Sequence, residues 1–296
     1  TPFGGLTLWT ELAKLWGLAA ETSVAPEASG NLHFNAHVLM VEDNDTNRLI
    51  LEQILSTLGC TVHHANNGMA ALAALEVEPF DLVLMDVQMP IMDGLTATRR
   101  IRDNERERGL PRQLIIALTA NALSGDREMC LQAGMDDYVS KPVTIEGISK
   151  AIQRWLPSTR AAPALATETG NPDNATLMTV IDLSELRASL GGQASRIIPA
   201  VLTSYLSEGE KHIVVLKAAD REFDVELITR IVHNLKSSSA ALGIRQFSAL
   251  CKEAEQQLRA NEIEPTRALL PRIIADFEEV RRAAENILAE LAEGKA

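Results

Sequence analysis

The side chains best suited to chemistry in this sequence are acids, a hydroxyl and an amine that each follow a short apolar run. Glu42 and Asp43 follow Val38–Val41, Asp86 follows Leu82–Met85, Thr119 lies just past the run that starts at Leu114, and Lys141 lies just past Asp136–Val139. Such runs are typical of buried parallel strands, whose carboxyl ends share one edge of a sheet. We therefore expect these five side chains to meet in one crevice.

Three carboxylates in one crevice repel one another, and a protein tolerates them when a cation neutralises their charge. Ligands that are all oxygen atoms favour a hard, octahedral magnesium ion, Mg2+. Lys141 and Thr119 offer a fixed positive charge and a hydroxyl, both suited to the oxygens of a phosphoryl group. Asp86 is then the nucleophile that accepts phosphate as an acyl phosphate. Singly, each residue has an alternative as a helix cap or surface charge, but together they favour a phosphoacceptor site.

The elements that must position these side chains alternate between strand and helix from residue 37 to residue 157. Five strands and five helices in strict alternation predict an α/β flavodoxin-like fold, a doubly wound five-stranded parallel sheet with right-handed crossovers. Beyond residue 180 the apolar spacing becomes helical. The predicted helices there are Asp182–Leu190, Ala194–Ala219, Asp224–Leu242, Ile244–Ala260 and Pro265–Leu291. Four long amphipathic helices with short connections predict an all-α antiparallel four-helix bundle.

A second candidate site lies on the third of these helices, at His233. At 100° per residue, the apolar residues from Leu227 to Leu242 share one side of the helix, and His233 falls roughly opposite them. Lys236, Ser237 and Ala240 surround it, so we predict that His233 faces water on a face that another protein can approach closely. Lys236 can attract a phosphoryl group there. The other five histidines have no comparable neighbours and are predicted to be ordinary surface residues.

The composition narrows the class of partner. The chain has 296 residues and a net charge of −12, with a pI near 5.0. This acidity excludes a nucleic-acid binder, which needs a basic patch. The three cysteines have no metal or redox spacing, which is typical of reduced thiols in a cytoplasmic protein. We find no apolar run long enough to cross a membrane and no signal peptide, so no direct membrane contact of this chain is expected.

The flanking segments predict the domain limits. Residues 1–20 form a helical tail, either the end of a preceding domain of the same type or an unrelated connecting helix, and the missing initial methionine indicates a piece of a longer protein. Residues 21–36 and 158–179 are rich in Ala, Ser, Thr, Pro and Gly and are predicted linkers. The sheet domain then covers 37–157 and the bundle 180–296.

Residues 37–157 resemble a response-regulator receiver domain through the motifs VEDNDTNR, LMDVQMPIMDG, ALTAN and DDYVSKP, in that order. The resemblance implies that a phosphohistidine phosphorylates Asp86. It implies that Glu42, Asp43 and Asp86 bind Mg2+ together with the backbone carbonyl of Gln88, and that Thr119 and Lys141 contact the phosphoryl group. Tyr138 matches the family's switch aromatic, which moves together with Thr119. Its alternative is a half-exposed tyrosine on an edge strand.

The stretch HNLKSSSAALG, from His233 to Gly243, resembles the active helix of histidine phosphotransfer (HPt) domains. It departs from the family at Ser237, where glycine is frequent, although serine is small enough for docking. A receiver followed by an HPt domain resembles the carboxyl-terminal part of a hybrid sensor histidine kinase, whose parent protein can be anchored in the inner membrane. Nothing resembles the ATP-binding core of such a kinase, so we do not expect this chain to use ATP.

The resemblance implies a phosphorelay. An upstream histidine kinase transmitter domain phosphorylates Asp86, His233 takes the phosphate, and the receiver of a downstream response regulator removes it. Two alternatives stay open at this point: the pair is a phosphorylation-controlled interaction module, or the receiver is a phosphate sink that hydrolyses its own acyl phosphate. In both alternatives no phosphate passes onward.

Overall fold

The computed structural model describes residues 32–120, 124–157, 159–160, 180–219 and 223–293. The predicted helical tail over residues 1–20 lies outside these ranges, as does most of each predicted linker. Two short strands, β1 (Leu32–His33) and β7 (Thr159–Arg160), lie within the linker segments and pair antiparallel, with Leu32 opposite Arg160. The segments that enter and leave the sheet domain therefore run side by side.

The sheet domain alternates strands and helices as predicted. Its strands are β2 (His37–Val41), β3 (Thr61–Ala65), β4 (Leu82–Asp86), β5 (Ile115–Thr119) and β6 (Asp137–Ser140). Its helices are α1 (Asp45–Thr57), α2 (Gly68–Val77), α3 (Gly94–Arg108), α4 (Ser124–Ala133) and α5 (Ile145–Gln153). The strands are parallel in the order β3-β2-β4-β5-β6, which is the flavodoxin-like order. The predicted fold class is confirmed.

Burial explains why the apolar runs became the central strands. Every residue of β4 and β5 is buried, because helices cover both faces of the sheet, whereas β3 at the edge exposes most of its residues. Asn44 begins α1 by accepting a hydrogen bond from the Asn47 amide, and Asp93 begins α3 by accepting one from the Thr96 amide. The caps fix where each helix leaves the carboxyl edge of the sheet.

The second half is helical. It contains α6 (Ser184–Leu190), a short 3-10 turn (Gly191–Gln193), α7 (Ala194–Ala218), α8 (Val225–Ala241), α9 (Arg245–Arg259) and α10 (Ile263–Ala292). Helices α7 to α10 pack side by side as a bundle whose core includes Tyr205, Phe247 and Phe277. Gly209 is required on α7, because a Cβ atom there would lie 2.4 Å from the Phe277 ring.

The bundle packs directly against the sheet domain through α1. Helix α1 contacts α7, α8 and α6, and its buried residues Ile50, Leu51 and Ile54 belong to the same apolar cluster as the bundle core. This packing leaves the carboxyl edge of the sheet facing α8. In the part of the chain that the structure describes, no helix combines the length and apolar character that a membrane span requires.

Candidate functional site

The predicted crevice forms at the carboxyl edge of the sheet. Asp86 is the last residue of β4, and β4 lies between β2, which leads into Glu42 and Asp43, and β5, which ends at Thr119. One oxygen from each of the three acids lies within 4.8 Å of the other two. The structure therefore brings together the acidic trio that the sequence indicated, and it does so because adjacent parallel strands end at one edge.

Lys141, which follows β6, reaches into this trio. Its Nζ atom donates to Glu42 Oε2 at 2.6 Å and to Asp86 Oδ2 at 2.8 Å, and all three side chains are buried. Burial opposes its charge, but the two carboxylates raise the pKa of Lys141 above its ordinary value, so the amine stays protonated. Its cation offsets one of the charges in the crevice.

Lys141 does not offset all of the negative charge. Burial raises the pKa of Asp86 to about 7, with Glu42 and Asp43 adding to the rise. Burial and Glu42 likewise raise the pKa of Asp43 to about 6, and Asp43 Oδ1 is buried without a hydrogen-bond partner. A buried oxygen without a donor, beside two further carboxylates, fits a divalent cation.

The acids are not equivalent as ligands. Glu42 uses both oxygens, since Oε1 accepts from Asn44 N at 3.3 Å and from Asn47 Nδ2 at 3.2 Å while Oε2 binds Lys141. Asp43 keeps a free oxygen. Asp86 also uses both oxygens, since Oδ1 accepts from Gln88 N at 3.3 Å and Oδ2 from Lys141 Nζ at 2.8 Å. Among the three acids, Asp43 is therefore the one with an oxygen still available to a cation.

The remaining predicted residues of the sheet domain lie around the crevice. The backbone N–H of Gln88 donates to Asp86 Oδ1 at 3.3 Å. Thr119 is buried, and its backbone carbonyl accepts from the backbone N–H of Lys141 at 2.7 Å. Tyr138 is half-buried on the edge strand β6, with Arg127 at 5.8 Å from its ring centre. This position is compatible with a switch aromatic and with an ordinary half-exposed tyrosine on an edge strand. Gly94 is required behind Asp86, because a Cβ atom there would lie 2.1 Å from the Asp86 carbonyl oxygen.

The prediction that His233 faces water is wrong. The residue is only 4% exposed. The helical periodicity correctly put His233 on the side of α8 away from the apolar stripe. That side, however, is covered by Glu255 of α9 and by the carboxyl edge of the sheet domain, which periodicity within one helix does not reveal. The imidazole is buried against the predicted phosphoacceptor site rather than within the bundle core.

Contacts between the two domains place this face of α8 on the crevice. Asn47 Nδ2 donates to Ser237 Oγ at 3.2 Å, and the Asn234 side chain hydrogen-bonds Asp43. Lys236 and Ser237, predicted to lie on an accessible docking face, are buried, while Ala240 is half-buried. The sheet domain of the same chain occupies the predicted docking face.

The His233 ring is held by a charged network on α8 and α9. His233 Nδ1 lies 2.8 Å from Glu255 Oε1, and Glu255 also binds Lys236 Nζ at 2.5 Å and Arg259 Nη2 at 2.8 Å. Burial works against the charge of Glu255, but its bonds to His233 and Lys236 lower its pKa to about 2. An ionised carboxylate only accepts, so His233 Nδ1 carries the proton.

Burial lowers the pKa of His233 despite the bond to Glu255, and Lys141 of the sheet domain also contributes to that fall. The ring is therefore neutral at neutral pH. With the proton on Nδ1, the Nε2 atom carries the free lone pair of a nucleophile.

Both candidate sites open into one cavity of about 680 Å³. Its lining includes Asp86, Gln88, Thr119, His233 and Arg259. Asp86 and the imidazole of His233 thus line the same cavity, whose volume exceeds that of a phosphoryl group.

Sequence reasoning missed two residues of this site, Glu255 and Arg259. They are one helical turn apart on α9, in a stretch where charged residues alternate with apolar ones. A Glu–Arg pair at this spacing is typical of a solvated helix face, so nothing in the sequence distinguished it. Their role depends on how α9 packs against α8.

Comparison with known proteins identifies both halves of the chain. Residues 38–153 match the family model described as response regulator receiver domain, and residues 200–283 match the model described as Hpt domain. Sensor histidine kinase GacS of Pseudomonas protegens is 35% identical over 237 residues, which covers 78% of this chain and 25% of the relative. This chain thus spans about a quarter of that relative's length.

Two solved structures are each similar to about two fifths of the chain. A receiver domain of a Pseudomonas aeruginosa sensor histidine kinase, crystallised with magnesium in its active-site cleft, is 45% identical and covers 41% of this chain and 97% of its own, with a TM-score of 0.38. The second is a chain from the complex of the Saccharomyces cerevisiae histidine phosphotransfer protein Ypd1 with the receiver domain of its downstream response regulator Ssk1. It is 33% identical to this chain, and the match covers 42% of this chain and 90% of that one, with a TM-score of 0.40.

Proposed function

Because the chain belongs to the receiver and Hpt domain families, in the combination found in hybrid sensor histidine kinases, we propose that it passes a phosphoryl group from Asp86 to His233. The observation that carries this proposal is the shared cavity between the two residues. We propose that the receiver covers residues 37–157 and the HPt domain 180–296.

In the first step, an Asp86 oxygen attacks the phosphorus of a phosphohistidine on an upstream transmitter domain. The new O–P bond forms as the donor's N–P bond breaks, and the donor imidazole leaves with the electron pair. Lys141 lies 2.8 Å from Asp86 and can neutralise a phosphoryl oxygen, and Thr119 lines the same cavity. A magnesium ion held by Glu42, Asp43, Asp86 and the Gln88 carbonyl would stabilise the charge on the transferring group.

In the second step, the Nε2 lone pair of His233 attacks the same phosphorus. The N–P bond forms, the O–P bond to Asp86 breaks, and the aspartate carboxylate is regenerated. Glu255 keeps the Nδ1 proton in place, so Nε2 points away from α9 and stays unprotonated. Lys236 and Arg259 supply positive charge beside the ring. The receiver of a downstream response regulator then takes the phosphate from His233.

The role of Glu255 predicts a graded mutational effect. Glu255→Ala leaves the imidazole without its acceptor and Lys236 without its partner, so we expect Asp86-to-His233 transfer to slow by roughly tenfold to a hundredfold. Glu255→Gln retains an oxygen that accepts from His233 Nδ1, so it should slow the transfer less than Glu255→Ala does. Rapid-quench measurement of label on each residue checks this order. Equal rates in the wild type and Glu255→Ala would show that the carboxylate does not position the ring.

The relay differs from its alternatives in where the phosphate stops. Incubated with acetyl phosphate and Mg2+, the chain should gain an acid-labile label at His233, and His233→Gln should carry label at Asp86 alone. An interaction module and a phosphate sink both predict that even the wild type is labelled only at Asp86. Mass spectrometry of the labelled peptides therefore tests the proposal, and absence of the His233 label in the wild type would refute it.

A further inference from the structure

One contact between the domains joins a charged side chain to backbone amides that have no acceptor within their own helix. Glu208 of α7 accepts hydrogen bonds from the Asp45 amide at 3.0 Å, from the Thr46 amide at 3.4 Å and from Thr46 Oγ1 at 3.1 Å. These groups form the first turn of α1 in the receiver. Thr46 is fully buried, and Glu208 is half-buried.

The first turn of a helix leaves its amides without acceptors inside the helix, and it carries partial positive charge. The Asn44 side chain accepts a hydrogen bond from the Asn47 backbone amide, and the Asp45 and Thr46 backbone amides donate to Glu208. An ionised carboxylate meets both the unsatisfied donors and the positive end of the helix dipole. Glu208 therefore completes the cap of a receiver helix from the other domain.

The position of this contact matters because α1 begins directly after the acidic residues Glu42 and Asp43. A contact at residues 45 and 46 fixes the register of the crevice over α8, where Asn47 then meets Ser237 and Asp43 meets Asn234. Along α7, the nearby Glu210 is exposed and forms no part of this contact. Of these two glutamates, Glu208 is therefore the one that contacts the receiver.

The docked receiver also covers the imidazole, which is 4% exposed. Resting on the proposed function, we propose that Glu208 is the docking residue that holds the chain's own receiver on the HPt domain, and that this docked state excludes any other receiver from His233. His233 then receives phosphate from Asp86 in the docked state and delivers it to a separate regulator in the undocked state, and the two states exclude each other. Opening the Glu208 contact is the step that permits output.

Amide exchange in the full chain tests the docking without any phosphate. In Glu208→Ala, the Asp45 and Thr46 amides lose their acceptor, so their exchange measured by NMR should speed up by about tenfold or more. Glu210→Ala makes the same chemical change at an exposed site of the same helix and should leave both amides protected. Unchanged protection in Glu208→Ala would overturn the role of Glu208.

Transfer between chains tests the exclusion. An Asp86→Asn chain, phosphorylated at His233 with phosphoramidate, is mixed with a His233→Gln chain whose Asp86 is the acceptor. Adding Thr46→Glu to the donor places a carboxylate against Glu208 while leaving the HPt face intact, and transfer between chains should accelerate by about tenfold. An unchanged rate would refute the exclusion. If His233 takes no phosphate at all, the proposed function fails, and the amide measurement still decides on docking.

Discussion

Asp86→Asn should remove the phosphate label from both Asp86 and His233 when the chain is incubated with acetyl phosphate and Mg2+. The amide of asparagine is a poor nucleophile, so no acyl phosphate forms, and His233 has no donor in its cavity. We expect labelling of His233 to fall by at least about a hundredfold, because loss of a nucleophile affects every later step. Peptide mapping with separate detection of base-labile acyl phosphate and acid-labile phosphohistidine checks both sites.

Asp93→Asn is the matched control for this change. Asp93 lines the same cavity and caps α3, and asparagine is an equally good cap, so labelling should stay near the wild-type level. His233 labelled to the wild-type extent in Asp86→Asn would mean that acetyl phosphate reaches the imidazole directly. The route through Asp86 would then be wrong.

Lys141→Met should strongly destabilise the receiver when Mg2+ is absent. Lys141 pairs with Glu42 and Asp86, whose side chains are only 1% and 4% exposed, and its removal leaves two buried carboxylates without a cation. Breaking a buried pair on one side costs about 3–5 kcal/mol of unfolding free energy. Chemical denaturation of the variant and the wild type in the presence of a chelator measures the difference.

Lys150→Met provides the control for Lys141→Met. Lys150 is 69% exposed and pairs with Glu146 on the surface of α5, so its loss should leave the unfolding free energy nearly unchanged. Mg2+ should restore more stability to Lys141→Met than to the wild type, because the added charge replaces a missing one. Equal stability of the two lysine variants would contradict the electrostatic account of the crevice.

The acidic crevice could be predicted from the sequence because local rules decide the position of each of its residues. Asp86, Glu42 and Asp43 follow buried strands, and parallel strands must end at one edge, so the topology brings them together. The helices of the bundle could also be predicted, because the spacing of apolar residues within each helix is a local feature of the sequence. His233 was correctly placed on the side of α8 away from the apolar stripe.

What the sequence did not predict depends on contacts between elements that are far apart in the chain. The burial of His233 requires the receiver to pack on α8, and the role of Glu255 requires α9 to lie beside α8. Glu208 forms its contact with Asp45 across 163 positions of sequence. Hydrophobic periodicity describes one helix at a time and carries no information on which charged residue meets a distant backbone.

The docked arrangement also explains why burial of the imidazole is compatible with transfer. A histidine enclosed in an apolar core has no access to a phosphate donor. His233 instead shares its cavity with Asp86, and Lys141 is near enough to influence its pKa.

The most direct test of the central claim is the rate of phosphate movement from Asp86 to His233 as a function of protein concentration. Two sites that line one cavity of one chain predict a first-order rate constant that stays unchanged over about a hundredfold range of protein concentration. Mixing Asp86→Asn and His233→Gln chains should give only slow transfer under the same conditions. A rate that rises in proportion to concentration, or equally fast transfer in the mixture, would contradict the claim that the chain hands phosphate to its own histidine.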